Sequence, residues 1–288
     1  MFFRMPLLLA ICCAGPCATA MANCSRPIVV PASSLGKIMM VDGARGQAWG
    51  IYPDLLRAYG VRAGCSFVFP VVPRARAEVL VQTGEADLLL SAVKVSHRDS
   101  WGNFVPMLGS EWVLVSHGNS APPRSVQALL DLPRLKFNAV RGFNGGPSYL
   151  NLLAGLEARG ELEYVNDAQT IIRKMAAGRV DYTVMASQTF AGTLDDMPPA
   201  QRIAVRYSRL DGLAPAVTGV YLSKAMPAAD AAEVTALLQQ IRAADGVLAG
   251  LRHYFTPDEM ISSFLLLAPP AGPPAAPSQA AAQAAPVP

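Results

Sequence analysis

The stretch that decides the fold runs from residue 66 to residue 92 and reads SFVFPVVPRARAEVLVQTGEADLLLSA. Its opening residues are apolar and aromatic, which is typical of a strand. Residues 74–83 follow Pro73 and predict a helix that ends at Gly84, because glycine readily adopts the left-handed conformation found after a helix. Residues 87–92 are a second apolar run. This order predicts two parallel strands joined by a crossover helix.

The same pattern extends toward the N-terminus. Residues 27–31 are another apolar run, and residues 51–60 predict a helix that ends at Gly60. Together with the first stretch, the chain reads strand, helix, strand, helix, strand. We therefore expect a parallel sheet flanked by helices.

The pattern restarts in the second part of the chain. Strands are predicted at residues 113–116, 137–140, 162–165 and 181–186, and helices at residues 125–131, 147–159 and 168–177. A Gly-x-x-Asp sequence precedes a buried strand twice, at residues 84–87 and 178–181. This repeat predicts two similar α/β lobes. A last strand at residues 217–222 and a helix at residues 234–255 are expected to return to the first lobe, with chain crossings near residues 113–119 and 209–217.

The two ends of the chain differ from its body. The N-terminus has a short positive start, a short apolar core and an Ala-x-Ala exit before Ala22, which predicts a secretory signal peptide; the alternative is a buried N-terminal helix. The C-terminal end is rich in alanine and proline and carries no charge, which predicts disorder. The predicted divisions are a signal peptide at 1–22, a first lobe at 23–115 plus 214–267, a second lobe at 116–213, and a disordered tail at 268–288.

Cysteine usage predicts one disulfide. Three of the five cysteines lie in the predicted signal peptide, which leaves Cys24 and Cys65. Each precedes a predicted strand, and an exported protein with two cysteines favours a bridge between them. The alternative is two unpaired thiols. Three scattered histidines give no metal-ligand spacing, so neither a metal nor another cofactor is expected.

Composition excludes several classes of protein. Hydrophobic residues make up 52% and charged residues 16% of the 288 residues, so the body is not intrinsically disordered. The net charge is +3 without any basic run, which argues against nucleic-acid binding. Nucleophile elbows, phosphate loops and the common metal motifs are missing from the sequence, so we expect no enzyme activity.

The ordered motifs resemble those of the family 3 extracytoplasmic solute-binding proteins, the amino-acid-binding type served by ABC importers. The matching stretches are residues 50–56, 84–88, 96–99, 104–106, 178–181 and 237–255. The resemblance implies an α/β, two-lobed periplasmic-binding-protein fold, in which each lobe is a mostly parallel sheet flanked by helices and two strands form the hinge. It also implies that a small-molecule ligand is held between the lobes.

In the first lobe the resemblance implies that Arg98 grips a ligand carboxylate. A guanidinium can do so through a two-pronged hydrogen-bonded fork; the alternative is a surface pair with Asp99. Ser91, at the end of a predicted strand, matches a ligand-binding position, although it could simply cap the strand. Arg74 and Arg76 are further basic candidates, with a solvated helix face as the alternative.

In the second lobe the resemblance implies a ligand-binding turn at Arg141, Gly142, Phe143 and Asn144. Arg141 would make the cleft more cationic, or could face solvent, and Phe143 could stack on the ligand or pack under the turn. Family members commonly have an acidic residue near position 185 that pairs with a ligand ammonium. Met185 stands there in this chain, which puts an amino acid ligand in doubt.

These observations predict a monomeric periplasmic protein that captures a small anionic solute, amino-acid-like or a carboxylate, for an ABC transporter permease. One alternative is a ligand-sensing protein read by a membrane signalling receptor. Another is an enzyme of the same fold that resembles cyclohexadienyl dehydratases, for which Glu111 and His97 are the acid–base candidates.

Overall fold

A computed structural model describes residues 24–110, 112–118 and 121–255 of the chain. The predicted signal peptide and C-terminal tail lie outside these residues. The strands are β1 (Ile28–Val29), β2 (Met40–Asp42), β3 (Gln47–Trp49), β4 (Phe67–Val68), β5 (Leu88–Val93), β6 (Gly102–Ser110), β7 (Trp112–His117), β8 (Phe137–Val140), β9 (Leu162–Val165), β10 (Tyr182–Ala186), β11 (Val205–Arg209) and β12 (Ala216–Ser223).

The helices alternate with these strands along most of the chain. They are α1 (Ile51–Ala63), α2 (Arg74–Thr83), α3 (Ser96–Asp99), α4 (Val126–Leu130), α5 (Pro147–Ala158), α6 (Ala168–Ala176), α7 (Ser187–Asp196), α8 (Ala228–Ala243) and α9 (Gly246–Tyr254). Within the described ranges, no helix is both long enough and apolar enough to cross a membrane.

Strands β2 and β3 form a separate antiparallel hairpin, and the other strands form two groups with the same spatial order. In lobe 1, β4 pairs in parallel with β1, and β12 lies between β5 and β6, antiparallel to both. The Asp87 N–H donates to the Val29 carbonyl, and the Asp87 carboxylate accepts the Val29 N–H, which places β5 beside β1. In lobe 2 one five-stranded sheet has the order β9, β8, β10, β7, β11, with the first two pairs parallel and the last two antiparallel. Each lobe is therefore a parallel three-strand unit extended by two antiparallel strands.

The repeated Gly-x-x-Asp sequence has the same role in both lobes. Gly84 and Gly178 follow α2 and α6 with φ angles of 78° and 66°, which glycine adopts without strain. The Asp87 carboxylate accepts the Val29 N–H at 2.8 Å. The Asp181 carboxylate accepts the Lys136 N–H, next to β8, at 3.0 Å. Each aspartate thus fixes the start of its strand against the neighbouring parallel strand.

The predicted fold class is confirmed, and the antiparallel strands are the addition that the sequence did not predict. They arise where the chain passes between lobes, because β6 leads into β7 and β11 leads into β12. Strand β7 spans the predicted boundary at residue 115 and lies wholly in the five-stranded sheet. The exact division into lobes stays a prediction.

Two predicted helix boundaries were wrong. Helix α1 continues past Gly60 and ends at Gly64, which has φ 64°. A Cβ atom added to Gly60 would lie 2.5 Å from the Cys65 carbonyl oxygen, so this glycine allows the following segment to pack closely on the helix. The last predicted helix is two helices, because Asp245 adopts φ 48° between α8 and α9.

The predicted disulfide is present. Cys24 and Cys65 are bonded to each other across a sequence separation of 41 residues. They precede β1 and β4, and these strands are parallel neighbours in which Ile28 lies opposite Phe67. Because parallel neighbours begin at the same edge of a sheet, the two sulfurs meet there.

Candidate functional site

The two lobes touch near the carboxyl ends of their parallel strands. The turn after β8 places Gly142 against Ala75, in the first turn of α2. A Cβ atom added to Gly142 would lie 2.7 Å from the Ala75 Cα and 2.8 Å from its backbone nitrogen. Gly142 also has φ 79°, a conformation that other residues adopt only with strain. Glycine is therefore the residue that fits this contact without displacing backbone.

A second contact joins the loop before β2 to helix α7. A Cβ atom added to Gly36 would lie 2.4 Å from the Thr189 carbonyl oxygen. A Cβ atom added to Gly192 would lie 2.5 Å from the Lys37 backbone nitrogen. Beside them, Lys37 Nζ lies 3.0 Å from Asp196 Oδ1. The lobes are thus closed on each other at two places.

Arg98 has an internal partner. Its side chain is 1% exposed, and its Nε and Nη2 donate to the two carboxylate oxygens of Glu78 at 2.9 and 2.6 Å. Its Nη1 donates to the Val93 carbonyl at 3.0 Å. The alternative partner Asp99 accepts the Tyr221 hydroxyl instead. A ligand carboxylate could reach the Arg98 fork only by replacing Glu78.

Glu78 lies between Arg98 and His97. Burial disfavours its charged form. The hydrogen bonds and positive charge of Arg98, a hydrogen bond from His97 and the nearby charge of Arg74 outweigh burial and hold the pKa of Glu78 below its ordinary value of 4.5. His97 Nε2 lies 3.0 Å from Glu78 Oε1, so this acid–base candidate is engaged with Glu78. The other candidate, Glu111, lies outside the described residues.

Ser91 is in a strained backbone conformation. It is half-buried inside β5 and has φ 48°, in the left-handed region that serine rarely occupies. Such a conformation costs about 1–3 kcal/mol and is concentrated at binding and catalytic sites. The register between β5 and β12 shifts between Gly219 and Tyr221, so Ser91 lies at a β-bulge. Its role in ligand binding stays a prediction.

Arg74 is a buried cation near the lobe contact. It is 5% exposed, its Nη1 donates to the Leu90 carbonyl at 2.9 Å, and its Nη2 lies 3.5 Å from the Ser91 carbonyl oxygen. Its Nε has no hydrogen-bond partner. Burial and the nearby charge of Arg98 lower the pKa of Arg74 to about 10, against a smaller opposing effect of Glu78. Arg74 therefore stays charged at neutral pH.

Arg76 is unlike Arg74, although both were basic candidates. Its side chain is 51% exposed and pairs with Glu85 at 3.4 Å. The solvated-face alternative therefore describes Arg76, whereas Arg74 points inward from the same turn of helix.

The predicted turn in lobe 2 is held by its own contacts. Asn144 Oδ1 accepts the Gly146 N–H at 2.8 Å, so this side chain shapes the turn. Arg141 is exposed, and its guanidinium lies 5.4 Å from the centre of the Tyr164 ring, a cation–π distance. Gly142 of this turn makes the close approach to lobe 1 described above.

Phe143 belongs to an aromatic cluster under the turn. Its ring lies 5.3 Å from that of Trp112 and 5.4 Å from that of Tyr149, edge to face in both cases. Val93 of lobe 1 belongs to the same buried cluster. The Trp112 Nε1 and the Tyr149 hydroxyl are buried without hydrogen-bond partners. This cluster therefore brings two unused donors to the lobe 2 side of the contact.

Sequence-based comparisons give no relatives for this chain: no protein-family model matches it, and no curated protein matches it. Solved structures do match. A histidine kinase sensor domain with similarity to periplasmic binding proteins aligns at a TM-score of 0.65 and 17% identity, over 80% of this chain and 96% of that one. The chain has the periplasmic-binding-protein fold.

Two further structures share the periplasmic-binding-protein fold with this chain. An amino acid ABC transporter substrate-binding protein from Streptococcus pneumoniae, bound to L-arginine, aligns at a TM-score of 0.64 and 16% identity, over 83% of this chain and 96% of that one. The ancestral amino-acid-binding protein AncCDT-1, a precursor of cyclohexadienyl dehydratase, aligns at a TM-score of 0.62 and 16% identity, over 80% of this chain and 95% of that one.

Met185 lies in the core of lobe 2. Its side chain is 2% exposed and packs in the core of lobe 2 with Val113, Ile172 and Phe190. Position 185 is therefore a core position, and it supplies no counter-charge for a ligand ammonium.

Sequence reasoning missed Glu78. This residue lies 20 positions before Arg98, and its side chain is partly exposed on α2. A single glutamate in such a position is an ordinary helix residue. The helical spacing gives one signal: Glu78 follows Arg74 by four residues, so both lie on one face of α2.

Proposed function

We propose that this chain is an exported solute-binding protein that captures a small anionic solute between its two lobes. One observation carries the proposal. Gly142 and Ala75 bring the lobes together at the carboxyl ends of the strands, beside the strained Ser91 and the buried cation Arg74. Open α/β sheets bind ligands at these strand ends, and an enclosed positive charge favours an anion.

The comparisons support binding as the role of this fold. The Streptococcus protein is a substrate-binding protein of an amino acid ABC transporter, and its structure holds L-arginine. By analogy, we propose delivery of the solute to an ABC transporter permease. The proposed mechanism is capture by lobe closure, without chemistry on the ligand.

The proposed ligand-binding residues are Ser91 in lobe 1 and the turn from Arg141 to Asn144 in lobe 2. Arg98 belongs to this set only if a ligand carboxylate exchanges with Glu78. Ser91 presents backbone groups in an unusual direction, and Arg141 adds a positive charge at the rim of the closed lobes.

We also propose that the chain reaches the periplasm through a signal peptide cleaved after Ala22 and acts there as a monomer. The Cys24–Cys65 disulfide supports this location, because such bonds persist in oxidising compartments. Intact mass measurement of the exported protein would give the cleavage site.

A thermal-shift screen tests the proposed function. The mature protein would be heated with L-amino acids, acetate, succinate, benzoate and their neutral amides, one at a time. A ligand present at 100 times its Kd stabilises the folded protein by about 2.7 kcal/mol. We expect at least one acid to raise Tm. If no acid in the panel does so, small-anion capture is contradicted.

A further inference from the structure

We infer that Arg74, rather than Arg98, binds the ligand's carboxylate. This inference rests on the proposed function and names the residue that selects the ligand's charge. The two arginines differ in the partners that their guanidinium groups already have. This difference decides which guanidinium is available to a ligand.

The charge of Arg98 is already neutralised. Two nitrogens of its guanidinium form a fork with both oxygens of Glu78, and the third nitrogen binds the Val93 carbonyl. A ligand carboxylate would gain this site only by leaving the Glu78 carboxylate without its partner. Breaking a largely buried ion pair is strongly unfavourable. The geometry therefore assigns Arg98 and Glu78 to the framework.

In the described part of the chain, Arg74 is in direct contact with no carboxylate, and Glu78, four residues on, acts on its charge only at longer range. The ion pairs found among the described residues do not include it, and its guanidinium meets only main-chain carbonyl oxygens of Leu90 and Ser91. Its Nε–H is buried and unused. A buried guanidinium that no carboxylate contacts, and that has a free donor, is a site that an anionic ligand would complete.

The place of Arg74 in the fold fits a ligand contact. It is the first residue of α2, and no side chain caps the N-terminus of this ten-residue helix, so the first-turn amides and the positive helix end also favour an anion. The next residue, Ala75, receives Gly142 of lobe 2. An anion bound at Arg74 would therefore lie where the lobes close.

The test uses an acid from the screen and compares two matched arginine variants. Titration calorimetry would measure the affinity of that acid for the wild type, Arg74→Gln and Arg76→Gln. Removal of a hydrogen-bond partner of a charged group should weaken binding roughly 10- to 150-fold in Arg74→Gln. Arg76→Gln, which changes an exposed arginine two residues away, should bind within about twofold of the wild type.

The outcomes separate the two proposals. If the acid binds the wild type and Arg74→Gln with equal affinity, the assignment of Arg74 is overturned and the proposed function stands. If no acid stabilises the wild type, both are overturned. Should Arg74→Gln fail to fold, the arginine Nε–H signals of the wild type decide: Arg74, assigned through Arg74→Lys, should shift when the acid is added. An unchanged Arg74 signal at saturation would overturn the assignment.

Discussion

At the scale of single residues, side chains with one chemistry have different roles because of their neighbours. Arg98, Arg74 and Arg76 are all arginines near one helix. Arg98 is buried in an ion pair, Arg74 is buried with an unused donor and, within the described chain, no carboxylate in contact, and Arg76 is exposed. The sequence predicted Arg98 as a candidate from its motif. It could not predict Glu78 as the partner, because the pairing depends on how α2 packs against the segment after β5.

Removal of the Arg98 side chain should mainly affect stability. In Arg98→Ala the Glu78 carboxylate loses its fork, which should cost about 3 kcal/mol, the lower end for a buried pair because Glu78 keeps some exposure. Urea unfolding would measure the loss, with Arg76→Ala as the exposed control, expected to change stability by less than about 0.5 kcal/mol. An unchanged free energy of unfolding in Arg98→Ala would contradict the framework role.

The same ion pair should make stability depend on pH. The pKa of Glu78 is lower in the folded protein than its ordinary value of 4.5, so the stabilisation is present above that value and is lost as the pH falls toward the folded-state pKa. The difference in unfolding free energy between the wild type and Glu78→Gln should therefore be constant from pH 7 to about 5 and shrink below about 4.5. A difference that grows on acidification would refute this reading.

At the scale of elements, the sequence predicted most helices and strands but not those that lack a strong pattern. The bounds of α2 and β8 agree with the prediction, because each has a clear apolar pattern and a glycine or turn at its end. Strand β6 was missed. It contains Pro106 and Gly109, which weaken a strand signal, and its long antiparallel pairing with β12 stabilises it. Tertiary pairing of this kind is invisible in a local sequence window.

The link between β1 and β4 should be stabilised by the disulfide. A closed loop of 41 residues corresponds to about 3–4 kcal/mol in the chain-entropy model. The Cys24→Ser, Cys65→Ser double variant should therefore unfold at lower denaturant concentration than the oxidised wild type, and reduction of the wild type should have the same effect. If reduction leaves the unfolding midpoint unchanged, the bond does not stabilise this part of the fold.

At the scale of the whole molecule, the sequence predicted two similar lobes but not where they meet. The Gly-x-x-Asp repeat indicated duplicated units, and both lobes share one strand order once the Asp87–Val29 backbone bond joins β5 to β1. The contacts that close them depend on glycines in loops, at Gly36, Gly142 and Gly192. A glycine in a loop is compatible with many conformations, so only the structure distinguishes a closure contact from an ordinary turn.

Closure should fail when Gly142 gains a side chain. In Gly142→Ala the new Cβ would overlap the backbone of Ala75, so small-angle X-ray scattering should report a more open protein, and affinity for the acid should fall at least roughly tenfold. Gly160→Ala is the matched control. Gly160 also has a positive φ, of 68°, but an added Cβ atom there meets nothing within 4 Å.

If Gly142→Ala and Gly160→Ala bind the acid with equal affinity, the prediction is contradicted. Any loss of affinity that both variants share then comes from backbone strain and not from the lobe contact. A loss of affinity confined to Gly142→Ala would instead tie binding to the approach of the two lobes.

The ion pair between Lys37 and Asp196 gives closure a dependence on ionic strength. It bridges the lobes at 3.0 Å, with both side chains partly in contact with solvent. Dissolved salt weakens such a pair, since the Debye length shortens to about 3 Å at 1 M. The glycine contacts beside it involve no charge and are insensitive to salt. Concentrated salt should therefore shorten the residence time of a bound solute by loosening one edge of the closed protein.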